Sequence, residues 1–512
     1  MEYYAKSKKV QFTSERINEI KKNMKNIEEC LKENLTETDV EILNSSITDI
    51  AEKTEEKQKT LKEHHKDIVT CAEMFFLEYG EYFTEKEKKL VVEACRIHDL
   101  GKVNLVFQAM ICPKLAEKFH IDVRKTSQIP HGFLSAVTIS LDEFDDLSEL
   151  FSDKDFGPFI TAVYYHHDRE DHYNSPAIRK YAEKYYMKQI EEYLNRKIRK
   201  LNCSNLDDLL FRNNVYTGKY IPDSNAWKEY LLIKGLLNKF DYTVSAGYEN
   251  AESAIDLHEK KLVKNIEKFL NGKELRPAQK FMKMNRDKNL IVIAPTGSGK
   301  TEASLLWMNG EKSFYTLPLK VSSNAIYLRI KENYEYKDVA LLHSDAMAVY
   351  LREYNGNEDI GEKYERSKML SQPLTVCTVD QLFRFVYRAL GTEIFAATLK
   401  YSKLVLDEIQ AYEPRVIATI IYGLKMIQEM GGKFAIITAT FPPVLKYFME
   451  QYGLVEGKQY IFKDFTGKEY QVEKYPRHKV EIRHSEMNLD EIRLRGKNRK
   501  VLVICNTVSK AQ

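Results

Sequence analysis

Twelve histidines occur in the chain, and eight lie before residue 173: His64, His65, His98, His120, His131, His166, His167 and His172. His98-Asp99 closes the helix-like run Val91–Ile97 and is followed by Gly101-Lys102; Asp241 stands further on, in Lys239–Ala246. Imidazole and carboxylate donors suit divalent transition metals such as Mn, Fe, Co, Ni or Zn. Two such ions roughly 3.5–4 Å apart, bridged by Asp99 and a water or hydroxide, would activate that nucleophile and stabilise a phosphodiester transition state. A lone His-Asp pair recurs by chance and carries little weight. An ordered series carries more: His64 shares a helical face with Leu61, Ile68 and Ala72, His131 opens a helix after Pro130, and His166-His167 ends the helical run Phe159–Tyr165.

A second chemistry sits in the other half. Ala294-Pro295-Thr296-Gly297-Ser298-Gly299-Lys300-Thr301 follows the apolar run Leu290–Ile293 and precedes a helical segment. That is the setting of a P-loop. Glycines turn backbone N–H groups inward around phosphates, and the helix N-terminus adds partial positive charge. Lys300 would reach the β/γ-phosphates and Thr301 would coordinate Mg²⁺. Leu404-Val405-Leu406-Asp407-Glu408 fits the partner strand, with Asp407 on Mg²⁺ and Glu408 acting on the attacking water. The two strands are expected to be neighbours at one sheet edge.

These residues need scaffolds of two kinds. Residues 63–247 read as helical, with charged faces and Tyr and Ile at helical spacing over Ile178–Leu201. After Gly272 short apolar runs alternate with helical stretches: Leu290–Ala294, Ser313–Leu317, Leu374–Thr378, Lys403–Leu406, Phe434–Thr438 and Val501–Cys505. Buried parallel strands with crossover helices read this way. The expected order is a helical N-terminal segment (1–62), an all-α domain (63–250), a charged linker (251–273), an α/β domain (274–485) and the start of a second α/β domain (486–512). Because the last expected strand lies just before Gln512, the chain is expected to be incomplete there.

Composition narrows the class. In 512 residues, 78 Lys+Arg against 75 Asp+Glu leave a charge of +3, too balanced to signal a polyanion partner by itself. Hydrophobic residues make up 43 %, which excludes a disordered chain. No run of about 18 apolar residues is present, and Met1–Lys6 lacks the apolar core of a secretory signal, so a cytoplasmic protein with no membrane partner is expected. Seven cysteines without a C-x-x-C argue against a disulfide framework or a cysteine zinc site.

The α/β half resembles superfamily 2 helicases, whose motifs appear here in order. Leu275–Gln279 stands for motif Q, Ala294–Thr301 for I, Leu317–Lys320 for Ia, Thr378–Leu382 for Ib, Asp407–Gln410 for II and Thr438–Thr440 for III, with Val501–Thr507 opening a second RecA-like domain. The resemblance implies an ATP site of Gln279, Thr296–Thr301, Asp407 and Glu408, with Gln279 reading an adenine edge. Gln410, Thr438 and Thr440 would couple hydrolysis to strand movement, and Leu319, Lys320 and Thr378 would touch a single-strand backbone. The motif with the arginine finger is absent, so weak ATP hydrolysis is expected unless it is supplied.

The helical half resembles the HD-type metal phosphohydrolases, and in its order of ligands it resembles the HD nuclease domain of the CRISPR-associated helicase–nuclease of type I interference systems. Gly101-Lys102, Phe107-Gln108, Ser245-Ala246 and Ala411–Pro414 fit as well. By resemblance His64, His98, Asp99 and Asp241 hold one metal and Asp99, His131, His166 and His167 the second, with Mn²⁺, Fe²⁺, Co²⁺ or Ni²⁺ as candidates. Lys102 would neutralise the scissile phosphate or protonate the leaving oxygen. His64 or its neighbour His65 could be the first ligand; register favours His64, while His120 and His172 read as surface residues. The resemblance implies an ATP-driven translocase that feeds single-stranded DNA, in the 3′ to 5′ direction, to a metal nuclease. Its partner would be an RNA-guided, Cascade-type surveillance complex at an R-loop. Two other readings remain: an HD nucleotide phosphohydrolase fused to an RNA helicase-like ATPase, and a non-catalytic ATP-sensing scaffold.

Overall fold

The computed structural model describes residues 3–5, 59–139, 153–167, 175–198, 201, 210, 225–253, 260–352, 360–470, 481–484, 488–505, 507 and 509. They fall into two compact units, Met1–Thr466 and Gly467–Gln512. The expected all-α domain and most of the expected α/β domain lie in the first unit. The expected N-terminal segment and His172 fall largely or wholly outside the described residues, as do residues 254–259 of the expected linker.

The all-α part is built from α1 (Leu61–Tyr79), α2 (Glu85–Ile97), α3 (Leu105–Ile111), α4 (His131–Thr138), α5 (Asp153–Tyr164), α6 (Ser175–Tyr185), α7 (Met187–Leu194) and α8 (Asn225–Ser245). Helices α1 and α2 each begin at a capping box. The Thr60 and Thr84 hydroxyls accept from the Glu63 and Glu87 N–H groups, and those glutamates accept from the threonine N–H groups at 2.8 Å. On α1 the buried stripe Leu61, Ile68, Cys71, Ala72, Phe75 includes His64, so apolar burial itself carries that imidazole inward. Helix α8 is buried around most of its circumference, from Trp227 to Val244, and forms the centre of the domain. Residues 3–5 join this core: the Leu61 N–H donates to Tyr3 O at 2.8 Å, and the Gln108 carboxamide pairs with the Tyr4 backbone.

The α/β part carries β1 (Leu290–Ile293), β2 (Ser313–Leu317), β3 (Val339–Leu342), β4 (Leu374–Thr378), β5 (Lys403–Asp407), β6 (Lys433–Thr438) and β7 (Ile461–Asp464). All ladders are parallel and the order is β3-β4-β2-β5-β6-β1-β7. The central strands are buried along their whole length, as in parallel sheets covered on both faces. One expectation is corrected here. β1 and β5 are not neighbours, because β6 lies between them, with Ile293 opposite Thr438 and Asp407 opposite Ile437. The crossover places the strand that ends in Thr438 between the loop and the two acids.

The described residues of the expected linker pack against both parts. Ala251 and Glu252 are buried, and Lys261–Leu270 forms a helix, α9, with an apolar face of Leu262, Val263 and Ile266. Glu252 joins the two parts: Lys239 of α8 reaches it at 2.8 Å, the Tyr401 hydroxyl at 2.6 Å, and Lys312, just before β2, bonds it too. Nearby, Lys234 pairs with Glu393 at 3.1 Å, and Gly235 lets α8 approach the helix α13 (Glu393–Lys400) so closely that a Cβ would lie 2.4 Å from the Glu393 carbonyl. (Between β1 and α13 lie α10, Pro277–Met284, α11, Lys300–Met308, and α12, Lys320–Glu332.)

In the second unit Leu489–Gly496 is helical. Val501–Cys505, expected as a strand, is not one: Leu502 and Ile504 are 83 % and 85 % exposed. An apolar run becomes a strand only where a neighbour offers ladder partners, and none is present among the described residues. The unit also begins at Gly467, earlier than the expected boundary at 486. No helix among the described residues is long and apolar enough to cross a membrane.

Candidate active sites

Five elements converge on Asp99. His64 comes from α1, His98 and Asp99 from the end of α2, His131 from the first turn of α4, His166 and His167 from just beyond α5, and Asp241 from α8. Asp99 faces both ways. Its Oδ2 lies 3.5 Å from His64 Nε2, 3.4 Å from His98 Nε2 and 2.6 Å from Lys102 Nζ. Its Oδ1 lies 3.2 Å from His131 Nε2 and 3.6 Å from His166 Nε2. His64 Nε2 also meets Asp241 Oδ1 at 3.2 Å. Two groups therefore share one carboxylate: Asp99, His131, His166, His167, and His64, His98, Asp99, with donor atoms within 4.8 Å of one another in each.

The rings are aimed. His98 Nδ1 sits 3.0 Å from the Cys95 carbonyl and His166 Nδ1 2.7 Å from the Val163 carbonyl, which places the proton on Nδ1 and leaves the Nε2 lone pair facing the centre. The Ser245 hydroxyl donates to Asp241 Oδ1 at 3.1 Å. His65 turns away, with Nδ1 3.2 Å from the Tyr193 hydroxyl, and His120 is exposed on the surface.

Burial sets the charge states. It pushes the His131 imidazole down to about 3 and lowers His64, His166 and His167 as well. Burial also opposes ionisation of Asp99, but His98 and Lys102 hold its carboxyl well below the usual range. Asp241 is likewise held low, against burial, by His64 and His98. His98 alone is raised: burial opposes its charge, and Asp99 outweighs that. Neutral imidazoles beside ionised carboxylates are the donor states a metal needs. His64 Nε2, His98 Nε2 and Asp99 Oδ1 are buried with no hydrogen-bond partner, an arrangement a divalent cation would satisfy. These residues fit a two-metal centre.

Sequence reasoning missed what closes this centre. Gly101 and Gly132 are contact points where a Cβ would lie 2.0 Å from His131 O and 2.8 Å from Tyr164 O. The Ser135 hydroxyl accepts from Gly101 N–H at 2.8 Å and lies 3.0 Å from His131 O. A glycine at the second position of the apolar helix α4, where it weakens the helix, was the available signal.

The nucleotide half is assembled at the C-terminal ends of β1, β5 and β6. Lys300 pairs with Glu408 across the loop. Glu408 adopts a left-handed backbone, φ 54°, sparsely populated outside glycine. The Gln410 side chain donates to Glu408 and lies against the Thr438 hydroxyl, which is 2.8 Å from Thr440 O. Burial raises the Asp407 pKa, while Lys300 and Gln410 hold Glu408 low despite its burial. Thr301 is buried beneath the loop, and Thr296 and Gly297 are exposed, with Ser298 and Gly299 half-buried. Gln279 contacts the loop itself. Its oxygen accepts from Arg276 N–H at 3.0 Å and its amide donates to Gly299 O at 3.3 Å, so it props the loop from beneath. Among the expected strand contacts, Leu319 is 63 % exposed and Lys320 is held by Asp345 at 3.1 Å, but Thr378 is only 5 % exposed and belongs to the sheet interior.

Fold and sites together define an HD-type metal phosphohydrolase domain joined to a P-loop, RecA-like ATPase domain. Two protein-family models match: Cas3, HD domain, over residues 51–224, and DEAD/DEAH box helicase, over residues 277–448. In carrying these two domains in this order the chain is similar to the CRISPR-associated helicase–nucleases. It is 25 % identical over 464 residues to the CRISPR-associated nuclease/helicase Cas3 of Methanothermobacter thermautotrophicus, covering 78 % of this chain and 54 % of that protein. It is 25 % identical over 190 residues to the CRISPR-associated endonuclease/helicase Cas3 of Escherichia coli, covering 32 % and 21 %. The crystal structure of T. fusca Cas3 shares the fold, with a TM-score of 0.56 at 17 % identity over 77 % of this chain and 50 % of that one. The chain thus spans about half the length of these two longer matches.

Proposed function

We propose that the chain is an ATP-driven single-stranded DNA translocase coupled to a metal-dependent HD nuclease, acting in the cytoplasm of a prokaryote on DNA opened by an RNA-guided, Cascade-type surveillance complex. The observation that carries the nuclease reading is one carboxylate, Asp99, shared by two histidine groups. The matches to relatives named as nuclease/helicase support it.

Divalent transition metals, when bound, would supply an activated water and charge neutralisation at a phosphodiester. His64, His98, Asp99 and Asp241 would hold one, and Asp99, His131, His166 and His167 the other. Lys102, 7 % exposed and 2.6 Å from Asp99, offers an ammonium to the scissile phosphate or a proton to the leaving oxygen. In the ATPase site Asp407 and Thr301 would hold Mg²⁺, Lys300 would exchange Glu408 for the phosphates, and Glu408 would then be free to orient water. The Glu408–Gln410–Thr438 contacts link that change to β6. Leu319 and Lys320 would meet the strand backbone electrostatically and without sequence preference.

The test is degradation of circular single-stranded DNA with Mn²⁺, Co²⁺ or Ni²⁺, without ATP, with a free nucleotide as competing substrate. Cutting by the wild type that disappears in Asp99→Ala is expected, and Lys300→Ala should spare this nicking while removing any ATP-dependent degradation. An intact circle with hydrolysed nucleotide would instead establish a nucleotide phosphohydrolase. Metal binding with neither activity would count against the nuclease reading and favour a scaffold or a chain that acts only with a further part.

A further inference from the structure

Tyr315 lies in β2, between β4 and β5, and is fully buried. It stands opposite Val405, so Asp407, two residues on, shares its face of the sheet. Its hydroxyl donates to Asp407 Oδ2 at 2.7 Å. Asp407 Oδ1 is buried and has no hydrogen-bond partner. Thr301 and Ser304 of α11 flank the same phenol. One hydroxyl thus sits among Asp407 and Thr301, the two side chains that would hold Mg²⁺.

A carboxylate rotates broadly about its terminal torsion. A phenol donating to one oxygen removes that freedom and assigns the other oxygen to the ligand. We infer that Tyr315 is a positioning residue of the ATPase site, which pins Asp407 by Oδ2 and reserves Oδ1 for the nucleotide-bound divalent cation. The inference rests on the ATPase reading above. Partners of ligating groups commonly change metal affinity by about 10–100-fold when removed. Phenylalanine keeps the ring and its packing and deletes only the donor.

The experiment measures Mn²⁺ binding to the ADP complex of the full chain by electron paramagnetic resonance, and metal-free ADP binding by calorimetry. It compares wild type, Tyr315→Phe, Asp407→Asn and the double variant. Tyr315→Phe should weaken Mn²⁺ binding about tenfold, leave metal-free ADP binding unchanged, and have no further effect in the Asp407→Asn background. Unchanged Mn²⁺ affinity, or an equal loss in both backgrounds, would overturn the inference. If Tyr315→Phe does not fold while the double variant does, the phenol's task is that carboxylate and the inference stands; if neither folds, the hydroxyl is needed for the fold independently of Asp407 and the inference falls. A wild type that binds no ADP at all would remove the ATPase reading and this inference with it, whereas normal wild-type binding with an indifferent Tyr315→Phe removes only the inference.

Discussion

Replacing Gly101 with alanine should open the nuclease centre without touching a ligand. A Cβ at Gly101 would lie 2.0 Å from His131 O, 2.7 Å from its carbonyl carbon and 2.8 Å from its Cα, all backbone atoms. A carbon meets a carbonyl oxygen at about 3.3 Å in close contacts, so the turn Leu100–Val103 and helix α4 must part by roughly 1.3 Å. Asp99 precedes that turn and His131 opens that helix, now 3.2 Å apart. The same movement stretches the bond from Gly101 N–H to Ser135. Overpacking of this kind costs about 1–3 kcal/mol, and a misplacement of about 1 Å costs on the order of 10²-fold in rate. The assay is paired: thermal melting in chelator, and Mn²⁺ titration with cleavage of circular single-stranded DNA. Gly80→Ala is the control, because its Cβ meets only the flexible end of Lys88. A Gly101→Ala protein that melts, binds Mn²⁺ and cuts like the wild type would refute the claim that this contact sets the spacing of the centre.

Two further outcomes follow from buried charge. Glu252→Gln should lower stability by about 3–5 kcal/mol, because it leaves Lys239 and Lys312 buried without their anion; a denaturant midpoint unchanged from wild type would show that the backbone carbonyls at Met369, Leu370 and Gln372 suffice. The metal-free chain should lose stability as pH falls below about 6.5. Burial holds His131 and His65 down to about 3 in the folded state, so the unfolded chain binds protons that the folded one refuses. Each such group contributes up to about 1.4 kcal/mol per pH unit in that window. His98, raised by Asp99, acts with the opposite sign but is outnumbered. Urea melts in chelator from pH 8 to 5 that stay flat would contradict this.

Legibility followed range. The P-loop, the acidic end of β5 and the strand β6 could be read from sequence because each joins an apolar run to a loop within a few residues. The short edge strands Val339–Leu342 and Ile461–Asp464 were not anticipated, since four apolar or half-exposed residues make no period of their own. Val501–Cys505 had the composition of a strand without a ladder to join. Gln279 and Thr378 were assigned to ligands by motif, and packing placed one under the loop and the other inside the sheet. Charge density marked Ala251–Lys273 as a linker, but nothing local showed that Glu252 would meet two lysines from distant elements.

The sequence alone determined the chemistry on offer: imidazoles and carboxylates in the first half, a phosphate loop and two acids in the second, and the helix register that turns His64 inward. These are properties of residue type and local period. Tertiary structure decided which groups meet. It made Asp99 common to two histidine groups, placed β6 between β1 and β5, brought Tyr315 to Asp407 across 92 residues, and set Gly101 against His131. Such pairings depend on how buried faces fit and where buried charges find partners, and neither quantity exists until the chain has closed on itself.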